Sequence, residues 1–331
     1  MNLLWLQSGG CGGCTMSLLC AESPDLLTTL AGAGIELLWH PSLSEASGGD
    51  VLAVLERAAD GSLPLHLLCV EGAMLRGPNG SGRFHLMAGT ESPMTHWVQR
   101  LAARAHYTLA VGTCAAFGGI TAGGPNPTDA CGLQFEGAHP GGLLGTDYRS
   151  QAGLRVVNVA GCPTHPNWVT ETLMALALGA LGPADLDALA RPRMFADQLV
   201  HHGCPRNEYY EFKASAERPS ELGCMMEHLG CLGTQAHADC NTRLWNGEGS
   251  CTRGGYACIN CTAPEFEESG HSFQRTPKIA GIPIGLPTDM PRAWFVALAS
   301  LSKAATPERL RRNAVSDHVA VPPTIHKPKP R

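Results

Sequence analysis

Residues 3–14 read Leu3-Leu4-Trp5-Leu6-Gln7-Ser8-Gly9-Gly10-Cys11-Gly12-Gly13-Cys14. Four apolar residues in succession leave no polar face. That pattern suits a strand covered on both sides, as in a parallel sheet. The strand ends in a Gly-rich loop, and helical spacing resumes through Leu18 and Leu19. The same order recurs at 35–39 (IELLW) and at 66–70 (HLLCV), which ends in Glu71-Gly72. It recurs again at 107–111 (YTLAV), ending in Gly112-Thr113-Cys114, and at 155–159 (RVVNV), ending in Ala160-Gly161-Cys162-Pro163. Between these strands, 95–105 reads as a helix with Trp97, Val98, Leu101 and Ala105 on one face, and 168–181 as a long apolar helix. The alternation predicts an α/β fold with a doubly wound parallel sheet. Such sheets bind ligands beyond the carboxyl ends of their strands.

The cysteines follow that geometry. Cys11, Cys14, Cys114 and Cys162 each lie just after a strand, so residues far apart in sequence converge on one sheet edge. A generic CxxC suits zinc or a redox pair equally well. Four thiols at matching strand ends, on Gly-rich loops that let backbone N–H groups approach sulfur, suit an iron–sulfur cluster. A second set joins His201, Cys204, Cys224 and Cys231, with His202 an equal candidate on spacing alone. A third is the compact group Cys240, Cys251, Cys258 and Cys261, for which a zinc ribbon is the alternative. Zinc fits a single set but does not account for twelve ligands in three. Cys69, in an apolar strand, and Cys20, on an apolar helix, read as core residues. Cys131 has no assigned part. Glu71 ends a strand near the first set, where a structural carboxylate is the simpler reading and a near-cluster proton role the other.

Composition narrows the class. The chain has 331 residues, 44% hydrophobic and 16% charged, with 39 Gly, 24 Pro and 14 Cys. A net charge of −5 gives no electrostatic case for a nucleic-acid partner. No apolar run reaches membrane-spanning length, and 293–301 (AWFVALASL) is about half of it. No basic leader or twin arginine precedes Cys11, so a reducing, cytoplasmic setting is expected, where clustered cysteines bind metal. Residues 1–195 read as the sheet domain. Residues 196–302 form a cysteine-rich region too poor in apolar periodicity to build its own core, where clusters supply the cross-links. Residues 303–331 carry seven Lys/Arg against two acids and read as a basic, Pro-rich tail.

These motifs resemble the small subunit of nickel–iron hydrogenases from residue 3 to about 265. CxGC matches Cys11-Gly12-Gly13-Cys14. GTCA(A/T)(F/Y)GG matches Gly112 to Gly119, and the GCPP-type motif matches Gly161-Cys162-Pro163-Thr164. HxxCPR matches His201 to Arg206 and selects His201 over His202. The family ending PCxxCxxPxF matches Ala257 to Phe266. The resemblance implies a flavodoxin-like sheet domain followed by an irregular iron–sulfur domain, with three 4Fe–4S clusters. The proximal cluster falls to Cys11, Cys14, Cys114 and Cys162. The medial falls to Cys240, Cys251, Cys258 and Cys261, and the distal to His201, Cys204, Cys224 and Cys231. It also implies a separate large subunit holding the nickel–iron centre, in a heterodimer or a dimer of heterodimers.

Departures from the family pattern sharpen this. Gly13 and Gly119 stand where oxygen-tolerant members carry two extra cysteines, which implies an ordinary proximal cluster. Cys251 stands where many members have Pro and a 3Fe–4S medial cluster, so a medial 4Fe–4S cluster is expected, with 3Fe–4S the alternative. Cys224 and Cys231 are one residue further apart than is usual. Thr15-Met16 replaces a common Ser-Glu. No leader or membrane anchor is evident, and a basic tail stands instead. That combination resembles the cytoplasmic hydrogen-sensing members, which signal to a histidine kinase. A soluble uptake hydrogenase is the alternative, and a non-catalytic zinc scaffold is the alternative from another class.

Overall fold

The computed structural model describes residues 1–267, 275–283 and 285–317. Its centre is a five-stranded sheet of β1 (Asn2–Gln7), β2 (Glu36–Trp39), β3 (Leu67–Glu71), β4 (Tyr107–Val111) and β5 (Val157–Val159), in the order β2-β1-β3-β4-β5. Every pairing is parallel, and the register runs Trp5–Cys69–Leu109–Val157 across the middle. Each connection is therefore a crossover, and helices cover both faces. Four of the apolar runs mark buried strands, with Leu4, Leu68, Val70, Leu109 and Val157 fully covered, whereas β2, at the sheet edge, is exposed at Glu36 and only partly buried from Leu37 to Trp39.

Helix boundaries fall close to the sequence expectations. The amphipathic segment forms a helix, Met94–Ala102, which buries Trp97, Val98 and Leu101. Pro166 at the first turn opens a long helix, Pro166–Ala177. The helix after the CxxC loop, Gly13–Leu18, is short and stops before Cys20. That corrects the core placement of Cys20, which is exposed, while Cys69 and Cys131 are fully buried.

Residues 196–267 contain little regular structure, only short helical turns such as Val200–Gly203 and Asn207–Glu211. Their apolar groups are small: Tyr210 with Met226 and Phe295, and Ala216 with Met225 and Leu229. Ala236, Ala238 and Cys258 instead join the main core of the sheet domain. Buried side chains hold the loops together. Arg206 donates from Nη1 to the carbonyls of Glu221 (2.6 Å) and Gly223 (2.7 Å), which fixes the backbone next to Cys224. Arg191 donates to the Thr262 carbonyl at 3.1 Å, which ties the sheet domain to the segment after Cys261.

The expected tail needs correction over its first half. Lys303 closes the helix Arg292–Ala304, and a second helix, Glu308–Ala314, follows. Leu310 and Ala314 sit four residues apart and pack against Ala214, Tyr209 and Phe212. Asp317 accepts from the Ser220 hydroxyl at 2.9 Å. Charged residues surround this short apolar pair, so composition disguises a docked helix as a tail. The rest of the expected tail, 318–331, lies outside the described residues.

Candidate iron–sulfur sites

The sheet brings the first set together. Cys14 neighbours Cys114 and Cys162, and Cys162 neighbours Cys11. Burial and then the neighbouring thiols push the Cys162 thiol up to about 12, and burial raises Cys14 further. Small residues make this proximity available. Gly112 has φ +86°, and a Cβ there would run into Cys14 Sγ. Gly119 has φ +53°, and a Cβ would lie 2.8 Å from the backbone N of Cys114. A side chain at either place would displace a candidate ligand.

Glu71, only 4% exposed at the end of β3, organises the CxxC loop. Its Oε1 accepts from the backbone N–H groups of Cys14 (3.0 Å) and Thr15 (3.1 Å). Its Oε2 accepts from Thr15 Oγ1 (2.5 Å), Gln7 Nε2 (3.1 Å) and Trp5 Nε1 (3.3 Å). Five donors onto one buried carboxylate make it a positioning group. Thr15, which replaces the family's Ser in this loop, supplies two of the five.

The second set lines one cavity: His201, Cys204, Cys224 and Cys231. Burial, then Cys231 and Cys204, push the Cys224 thiol up to about 12. The two adjacent histidines differ. His202 has both ring nitrogens engaged, Nδ1 accepting from the Leu199 N–H (3.3 Å) and Nε2 facing Asp289 (3.1 Å). His201 uses Nε2 toward Asp289 (3.0 Å), while its Nδ1 is buried with no hydrogen-bond partner among the described residues. A buried, unpartnered nitrogen in a cavity with three thiols has the chemistry of a cluster ligand.

The third set, Cys240, Cys251, Cys258 and Cys261, lines a cavity of about 110 Å³ that Cys162 also borders. Burial and then Cys261 and Cys251 raise the Cys240 thiol. Burial, partly offset by an N–H from Cys162, leaves Cys261 at about 11. Backbone N–H groups face several of the sulfurs: Gly13 to Cys11 (3.4 Å), Asn260 to Cys258 (3.5 Å) and Cys258 to Cys231 (3.3 Å).

Besides the Cys162 N–H to Cys261, two contacts join the sets. Thr113, beside Cys114, donates its hydroxyl to the Cys261 carbonyl at 2.6 Å and accepts the Gly161 N–H at 2.9 Å. The Cys258 N–H to Cys231 Sγ contact links the third set to the second. The order in space is therefore first, third, second. Ligand spacing alone does not reveal this order or the Thr113 link, because both depend on how the irregular segment folds back. Asp289 also escapes sequence reasoning, since no spacing ties it to residues almost ninety positions earlier.

Replacing Glu71 by Gln keeps its size but puts an amide against N–H donors. The expected result is lower iron occupancy at the first set and a lower thermal midpoint of the assembled protein, about 1.5–3 kcal/mol for each charged hydrogen bond lost. Iron content and thermal unfolding check this, and unchanged values contradict the role given to Glu71.

Comparison with known proteins agrees with the fold. Residues 11–176 match the family described as NADH ubiquinone oxidoreductase, 20 Kd subunit. Residues 196–274 match the family described as the C-terminal part of NiFe/NiFeSe hydrogenase small subunits. The F420 non-reducing hydrogenase II small subunit of Methanosarcina mazei is 34% identical, over 94% of this chain and 84% of that protein. The periplasmic [NiFeSe] hydrogenase small subunit of Desulfomicrobium baculatum is 32% identical, over 82% of this chain and 86% of its own length. Among solved structures, an actinobacterial-type NiFe-hydrogenase from Ralstonia eutropha superposes with a TM-score of 0.75 at 29% identity, covering 93% of this chain and 92% of that one. With the family model on its second half and a relative 34% identical over 94% of its length, this chain belongs to the nickel–iron hydrogenase small-subunit family.

Proposed function

We propose that this chain holds three 4Fe–4S clusters in a row. The proximal cluster takes Cys11, Cys14, Cys114 and Cys162. The medial takes Cys240, Cys251, Cys258 and Cys261. The distal takes His201, Cys204, Cys224 and Cys231. The observation that carries this assignment is the pair of contacts between neighbouring sets, Thr113 to Cys261 and Cys258 to Cys231. When bound, the clusters supply one-electron centres linking the nickel–iron site of a large subunit to an outer acceptor. The chain's own residues position and screen the sulfurs. Glu71 holds the Cys14 loop, Arg206 holds the backbone beside Cys224, and N–H groups point at the thiolates. The large subunit docks at the proximal edge, where Met16, Leu19 and Ile120 expose apolar surface next to the ligand loops.

Four thiols in the third set support a medial 4Fe–4S cluster. This chain's clusters should account for about twelve irons with matching sulfide, beyond the iron of the large subunit's nickel–iron centre, and the oxidised form should lack an intense 3Fe–4S EPR signal. Cys251→Pro should create that signal. Two or three zincs without sulfide would replace this assignment by the zinc scaffold, and a strong 3Fe–4S signal in the native complex would exclude the four-thiolate medial cluster.

The finer role proposed is hydrogen sensing in the cytoplasm, with a histidine kinase as signalling partner. Its support is the basic bias of residues 303–331. Because Glu308–Ala314 is docked, the kinase contact is assigned to residues 318–331. Among the described residues no helix is long and apolar enough to cross a membrane. Truncation after Asp317 should abolish kinase capture and leave the iron content intact. An unchanged kinase interaction, or robust H2-driven dye reduction by the native complex, favours the uptake role instead.

A further inference from the structure

Asp289 stands outside every ligand motif, yet its carboxylate meets the histidine of the distal set. It lies before the helix Arg292–Ala304, in a segment anchored by the Thr288 N–H to the Thr234 carbonyl at 3.2 Å. Its Oδ2 is 3.0 Å from His201 Nε2 and 3.1 Å from His202 Nε2. His202 Nδ1 accepts the Leu199 N–H, so in neutral His202 the proton is on Nε2 and points at Asp289. His201 lines the same cavity as Cys204, Cys224 and Cys231, and its buried Nδ1 has no hydrogen-bond partner among the described residues. A neutral imidazole has one N–H. If Nδ1 is the ligand atom, that N–H is on Nε2 and donates to the carboxylate. Tyr210 packs edge-on against the His201 ring at 5.1 Å and limits its rotation.

We infer that Asp289 is a positioning residue for the distal cluster: it fixes the His201 tautomer and ring angle, and through the Nε2–H bond it makes Nδ1 a more electron-rich ligand. A carboxylate acceptor gives the imidazole partial imidazolate character and places a negative charge near the centre. Both effects favour the oxidised cluster and lower its potential. Replacing a thiolate by neutral histidine raises a cluster's potential, because it removes a negative charge. Asp289 returns part of that charge from one bond further out. The distal potential is thus set by a residue that ligand counting does not include. His202 has a supporting part, since it holds the same oxygen and fixes the carboxylate's direction.

This inference rests on His201 being the distal ligand, and the experiment separates the two. The assembled hydrogenase is prepared with ¹⁵N-histidine, and pulsed EPR of the reduced form looks for a strongly coupled imidazole nitrogen. Redox titration then follows the cluster that carries this coupling in native protein, Asp289→Asn and Asp289→Glu. The expected result is a native nitrogen coupling, a distal potential raised in Asp289→Asn, and one close to native in Asp289→Glu. Loss of the distal cluster in Asp289→Asn with retention in Asp289→Glu also supports positioning. A coupling present with an unshifted potential in Asp289→Asn, or loss of the cluster in both variants, overturns the role of Asp289. Absence of histidine coupling in native protein overturns the ligand assignment itself.

Discussion

Thiols packed beside one another in a buried cavity resist ionisation, and all three cysteine sets of this chain must meet that constraint. Burial raises the thiols of Cys14, Cys162, Cys224, Cys240 and Cys261, and in each case a neighbouring cysteine raises it further. The fold counters with N–H groups aimed at sulfur, from Gly13, Thr164, Gly233, Asn260 and Cys258. These dipoles do not match the charge of four thiolates, whereas iron does. A cluster bound in each set, as proposed, would relieve that cost.

The two halves meet that constraint differently. In the sheet domain the candidate ligands sit on loops whose ends are held by buried parallel strands. The first set is therefore placed before any metal contributes, and Glu71 completes the placement. Residues 196–267 have only small apolar groups and short turns of helix. Their loops are held by Arg206, Arg191 and contacts between ligand backbones. Thr113 shows how closely the halves are tied: one hydroxyl touches the backbone beside Cys162 and that of Cys261.

The parts legible in sequence were those with a short repeat. Strands buried on both faces read as unbroken apolar runs, and the ligand loops after them stood out as Gly-Cys motifs. The amphipathic helix at Met94–Ala102 declared itself by its period. What escaped lacked a repeat. Glu308–Ala314 buries only Leu310 and Ala314 among charged neighbours, and so resembled a tail. Cys20 follows apolar residues, but its helix ends two residues too early to bury it. Asp289 reaches His201 across nearly ninety positions, a pairing that only the tertiary fold creates. The choice between His201 and His202 needed family resemblance at the level of sequence. In the structure the two rings differ in that His201 Nδ1 is buried without a hydrogen-bond partner among the described residues, which supports the proposed choice.

The most direct test of the proposal that clusters, more than apolar packing, hold residues 196–267 is amide hydrogen exchange on the assembled protein before and after iron removal. The expected outcome is loss of protection across residues 196–267 while β3 and β4 keep theirs. Protection of residues 196–267 that survives iron removal would contradict it.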